Sequence, residues 1–114
     1  MNTEQLNKLL LEAFPELADK FEEYTSWQDG METGCFLTYE DLLLPFAREA
    51  LAIKDDEKLA RIGSFIEMLM NLGDDYAGNV ATVGLLEGLK AGGSDTIRQY
   101  LGTTSLAEYD SIAY

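Results

Sequence analysis

Carboxylates are the one kind of reactive side chain this sequence supplies in quantity. Asp55, Asp56 and Glu57 stand together, and Asp74 and Asp75 form a second pair. Adjacent carboxylates can divide acid and base roles between them. Each cluster, however, falls where a helix is predicted to begin, and an acid at a helix amino terminus is explained by capping and by the positive end of the helix dipole. Neither cluster follows the D-x-[DN]-x-[DN]-G pattern of a calcium loop. Cys35 is the only cysteine and histidine is absent, so an intramolecular disulfide, a Cys/His metal site and His-based catalysis all lack material. The Cys35 thiol has no basic neighbour in sequence to activate it. No G-x-x-x-x-G-K-[ST] phosphate loop is present, and Gly84 and Gly88 belong to a helix interior rather than its start. The expectation is a protein with no catalytic residue, no metal and no cofactor, whose function lies in its surface.

That surface is anionic. The 114 residues carry 21 acids and 8 bases, a formal charge of −13, which repels phosphate backbones and anionic lipid headgroups. Nucleic acid and membranes are therefore not expected partners; a basic protein is. The charge is uneven, with 14 acids and 4 bases in residues 1–57 against 7 and 4 in residues 58–114. The acidic face is expected from the first half, and the same imbalance would also serve solubility alone. A lone cysteine suits a reducing cytoplasm, the amino terminus lacks the cationic region of a secretion signal, and no 18 apolar residues run together. Oligomeric state is not written in the composition.

Periodicity sets out the elements that position these groups. A 46% hydrophobic content spread at helical spacing predicts an all-α fold, a single domain over 1–114 built as a compact bundle of six to seven helices with short connections. Thr3 can cap a first helix with Leu6, Leu9, Leu10 and Ala13 on one stripe, and Pro15 ends it and can start the next. There Leu17, Phe21 and Tyr24 form an apolar face with Trp27 one turn later, while Glu16, Asp19, Glu22 and Glu23 make an anionic outer side. Residues 29–34, DGMETG, read as a loop. Trp27, Met31, Cys35 and Phe36 around it are expected to fold into the core, with an exposed partner-binding patch as the competing reading. Thr38 and Asp41 resemble a capping box, and Pro45 predicts a kink or fresh start near Leu44.

Further on, Leu59, Ile62, Ile66 and Leu69 alternate three and four apart, widened by Phe65, Met68, Met70 and Leu72, which predicts a largely buried helix. Gly73 ends it and Asp74 can cap a nearly surrounded central helix holding Val80, Val83, Leu86 and Leu89, so that 57–72 and 74–90 form a central antiparallel hairpin. Gly78, Gly84 and Gly88 predict close approach of neighbours, above all of the 57–72 helix. Ser94 can cap a short helix with Ile97, Tyr100 and Leu101. A last segment with Leu106, Tyr109 and Ile112 closes the chain as a lid.

VGLLEGL (Val83 to Leu89) and YLGTT (Tyr100 to Thr104), with LLLEAFPEL (Leu9 to Leu17) and LLPFARE (Leu43 to Glu49), resemble a family of small acidic all-helical bacterial proteins of unknown function, similar to immunity proteins of toxin systems. The motifs span most of the chain but consist of packing and capping residues, which carry architecture rather than activity. Where that family has proline in its Y-x-G-P turn, this chain has Thr103. The resemblance implies a cytoplasmic protein that binds and blocks a toxin. An acidic face would steer a basic toxin and occupy the groove meant for phosphate, with Glu16, Asp19, Glu22, Glu23, Asp29 and Glu32 as contacts and Trp27 as an apolar anchor. The alternative is a helical scaffold, adaptor or self-associating protein with no toxin partner.

Overall fold

Asn2, rather than Thr3, opens the first helix. Its side chain accepts from the Gln5 N–H at 2.9 Å while Gln5 Oε1 accepts from the Asn2 N–H at 3.0 Å, the reciprocal pairing of a capping box. The computed structural model describes residues 1–93 and 95–112, and the expected Ser94 cap and the terminal Tyr114 lie outside them. Helix α1 (Thr3–Ala13) buries Leu6, Asn7 and Leu10. Pro15 starts a 3₁₀ turn, Pro15–Leu17, which leads into α2 (Ala18–Thr25). Residues Gly30–Glu32 form a second 3₁₀ turn in the loop that follows.

Helix α3 (35–53) begins at Cys35 behind Gly34, four residues earlier than the Thr38–Asp41 pattern predicts. Thr38 is buried inside it and donates to Asn7, and Asp41 accepts from the Tyr24 hydroxyl, so neither acts as a cap. The helix is α over Cys35–Thr38, widens to a π-turn over Tyr39–Leu43 and returns to α over Leu44–Ile53. Pro45 explains the interruption: it has no donor and its ring crowds the carbonyl of Asp41, and the wider turn accommodates both. Lys54, in the left-handed conformation, ends α3.

Asp55 accepts from the Lys58 N–H at 3.1 Å and starts α4 (Asp56–Met70). Its stripe of Leu59, Ile62, Phe65, Ile66 and Leu69 is buried, but Met68 and Leu72 are exposed, so the helix gives the core a narrower face than predicted. Gly73 turns the chain with φ +71° and Asp74 caps α5 (75–91) by accepting from the Ala77 N–H at 2.9 Å. The hairpin of α4 and α5 closes through residues 71–74, and its contact is made chiefly by Asp75–Ala81. Beyond that α5 leaves α4 and packs along α3. A π-turn over Thr82–Leu86 lies against that of α3.

The glycines follow from this second pairing. A Cβ at Gly88 would come within 2.4 Å of a Leu44 methyl, and one at Gly84 within 3.2 Å of Tyr39 Cβ, whereas Gly78 faces open space. The close approach is therefore to α3, not α4, and it is absent at Gly78. Val83 is 51% exposed because it sits in the π-turn, where the extra residue per turn shifts the apolar phase, and α5 is not surrounded on all sides.

Residues Thr96–Tyr100 form a 3₁₀ turn rather than an α-helix. It lies on α4 so closely that a Cβ at Gly63 would sit 2.0 Å from the Tyr100 carbonyl oxygen. Helix α6 (Thr103–Ser111) buries Ser105 and Tyr109 as the expected lid. Its amino terminus is capped from a distance: Glu67 of α4 accepts from the N–H groups of Thr104 at 3.2 Å and Ser105 at 2.8 Å. Among the described residues there is no strand. The elements share one core, with a radius of gyration of 13.2 Å, close to the about 13 Å expected for this length. No helix among the described residues is long and apolar enough to cross a membrane.

Candidate protein-binding surface

Helix α2 turns Leu17, Phe21 and Thr25 into the core, and that leaves Asp19, Glu22 and Glu23 on its outer side. Its last turn continues as an irregular turn over 26–29, so Trp27 is carried off the apolar face and stands 92% exposed. This corrects the expectation that Trp27 belongs to the core. Trp27 lines an open groove with Lys20, Glu23, Tyr24 and Leu42. Asp41 borders it, since the Tyr24 hydroxyl donates to Asp41 Oδ2 at 2.5 Å, and this bond pushes the Tyr24 hydroxyl pKa up. Asp29 and Glu32 are exposed on the loop beyond.

The loop is held from beneath by Asn7, which is fully buried on α1. Its amide nitrogen donates to the carbonyls of Met31 and Thr33, both at 2.9 Å, and its oxygen accepts from Thr38 Oγ1 at 2.7 Å. The Cys35 thiol, also buried, donates to the Thr3 carbonyl at 3.2 Å, and burial pushes its pKa up, as befits a passive thiol. Cys35 thus joins the core as expected, while Met31 is half-buried and Phe36, 36% exposed, leans edge-on to Tyr76. Tyr39 completes the clamp by donating to the Leu6 carbonyl at 2.8 Å. These bonds place the loop bearing Asp29 and Glu32 on a rigid base.

Glu16 does not belong to this surface. It faces α4, where Arg61 grips it through Nη1 at 2.9 Å and Nη2 at 2.8 Å while also donating to the Ala13 carbonyl at 2.8 Å. The guanidinium bond holds the Glu16 carboxyl down at about 2. Among the described residues, Asp19, Glu22, Glu23, Asp29 and Glu32 have no such partner. Of the acids named from the sequence, Glu23 lines the Trp27 groove, Asp19, Glu22, Asp29 and Glu32 are exposed on α2 and the loop after it, and Glu16 is turned away to Arg61; Tyr24 shares the groove with Trp27 as their spacing suggests, and Asp41 and Leu42 were not named with it. The i, i+3 spacing of Tyr24 and Trp27 is the local signal for that shared flank.

The other acid clusters serve the fold: Asp55 and Asp74 cap helices, and the Tyr100 hydroxyl donates to Asp56. No group of three or more Asp, Glu, Cys or His side chains among the described residues could hold a metal ion. What the α2 surface can do is bind: it offers an indole, unpaired carboxylates and an apolar floor at Leu42.

A family model described as a domain of unknown function, DUF7674, matches residues 7–114, and the chain belongs to that family. No curated protein and no solved structure matches it.

Proposed function

We propose that this member of the DUF7674 family is a cytoplasmic protein-binding module of the immunity type, which neutralises a basic toxin by covering its active or substrate-binding surface with the Trp27 face. The observation that carries the reading is one exposed indole set among unpaired carboxylates on a rigid base. Aromatic anchors dominate interface energetics, and a tryptophan left this open is a surface whose burial by a partner is favourable. The surrounding anionic charge would speed encounter with a cationic partner and raise the salt sensitivity of binding. The toxin part of the reading rests on the resemblance of residues 83–89 and 100–104 to immunity-like proteins. Co-purification with a toxin encoded beside its gene, with rescue of toxin-poisoned cells, tests it. A complex that weakens steeply with salt is expected, and no complex at low salt with no rescue would refute it.

A second reading, a scaffold or self-associating protein, is favoured by a different patch. Leu37 of α3 is 48% exposed and Val83 of α5 51%, and Phe36 and Tyr76 pair edge-on between the same two helices. Sedimentation across salt concentrations separates the two. Self-association that ignores salt and falls with Tyr76→Ala but not with reversal of Asp19 and Glu22 would favour this patch.

A further inference from the structure

We infer that the groove beside Trp27 reads arginine: a guanidinium from the partner lies against the indole while the Glu23 carboxylate takes its N–H groups. The inference rests on the protein-binding reading above and adds the chemistry of the anchor. Three observations on one groove support it. Trp27 is 92% exposed, so its π-face is open to a ligand. Tyr24 and the buried Leu42 give the groove an apolar lining, and Glu23 supplies a carboxylate within it. Asp41, at the Tyr24 hydroxyl, adds a second negative charge at the border.

Charge selects the occupant. Glu23 and the bordering Asp41 outnumber Lys20, the one cation among the described lining residues, whose alkyl stem can wall the groove while its ammonium stays in water. A phosphorylated or acidic segment is repelled. A purely apolar side chain would cover the Glu23 carboxylate without satisfying it, at a desolvation cost. Between the two cationic side chains, lysine is a compact, strongly hydrated charge that can use the indole or the carboxylate well, but not both together. The planar, weakly hydrated guanidinium stacks on an aromatic face and forks to a carboxylate at once.

Because Trp27 is the only tryptophan of the chain, its fluorescence reports on the site directly. The test titrates the intact protein at low salt with blocked tetrapeptides of arginine, of lysine at equal charge, and of a neutral leucine-containing sequence. The arginine peptide is expected to perturb Trp27 emission and to bind about three- to tenfold more tightly than the lysine peptide, and the neutral peptide not to bind. Calorimetry on Trp27→Leu, which keeps apolar area without the indole, is expected to bring arginine down to the lysine level. Glu23→Gln should weaken arginine more than lysine. Equal affinity of the two cationic peptides, tightest binding of the neutral one, or an arginine preference that survives Trp27→Leu would each overturn the inference. If the peptides bind equally while Trp27→Ala still abolishes capture of the toxin, the arginine assignment fails and the protein-binding reading stands. Arginine preference without any captured toxin reverses that outcome.

Discussion

Around α4, four carboxylates are occupied by the fold. Asp55 and Asp74 each accept from a backbone N–H at the start of a helix, Glu67 accepts from two N–H groups of α6, and Glu16 is forked by Arg61. Around α2 and the loop after it, Asp19, Glu22, Glu23, Asp29 and Glu32 stand in solvent beside an exposed tryptophan. The same chemical group thus does structural work in one region and is left available in the other. Net charge conceals that difference, and only the partner of each carboxylate reveals it.

The comparison predicts that substitutions near α4 cost stability while those around α2 cost binding. Gly63→Ala should have the largest effect, because its Cβ would meet the Tyr100 carbonyl oxygen at 2.0 Å and backbone has to move. Urea denaturation should show a loss of about 3 kcal/mol or more. Asn7→Ala should follow, at about 1–3 kcal/mol in all. It leaves the Met31 and Thr33 carbonyls without their donor, whereas the Thr38 hydroxyl can still donate to the Cys35 carbonyl, and amide exchange should rise across 29–34.

Glu67→Gln should cost about 1 kcal/mol, the usual value of a helix cap, and it carries a pH signature. Burial works against the Glu67 carboxylate, yet hydrogen bonds from the Ser105 and Thr104 N–H groups and the Asn71 amide hold it down at about 2. Since the folded value lies below the unfolded one, the stability it contributes is complete above about pH 5 and is lost as pH falls toward 2. The variant should therefore flatten the acid limb of the stability profile, as should Glu16→Gln, whose carboxyl Arg61 depresses in the same way. Asp19→Asn and Glu22→Asn sit at the small end. Thermal melts of either should stay within about 0.5 kcal/mol of the parent, and a larger loss would show that the α2 acids also serve the fold.

Local rules made a good part of this legible. Pro15 and Gly73 mark boundaries, Asp55 and Asp74 cap where expected, and Leu59, Ile62, Ile66 and Leu69 bury as their spacing requires. What escaped depends on neighbours distant in sequence. The α5 glycines signalled close approach, but only tertiary packing decides that Leu44 and Tyr39 fill the space. Two π-turns shift the helical phase by one residue each, which put Val83 outside. Nothing in the local pattern marks Asn7 as buried, since its bonds reach residues 31, 33 and 38. Trp27 fits the α2 stripe only if the helix continues, and an irregular turn intervenes. Glu16 resembled its neighbours until Arg61, 45 residues away, claimed it.

That the Trp27 face binds the proposed basic partner and does not hold the fold together is settled by one paired measurement on Trp27→Ala: urea stability alongside affinity for the partner that the unaltered protein captures. A denaturation curve within about 0.5 kcal/mol of the parent is expected together with a loss of at least about tenfold in affinity for that partner. Unchanged partner binding, or a large loss of stability, would contradict it.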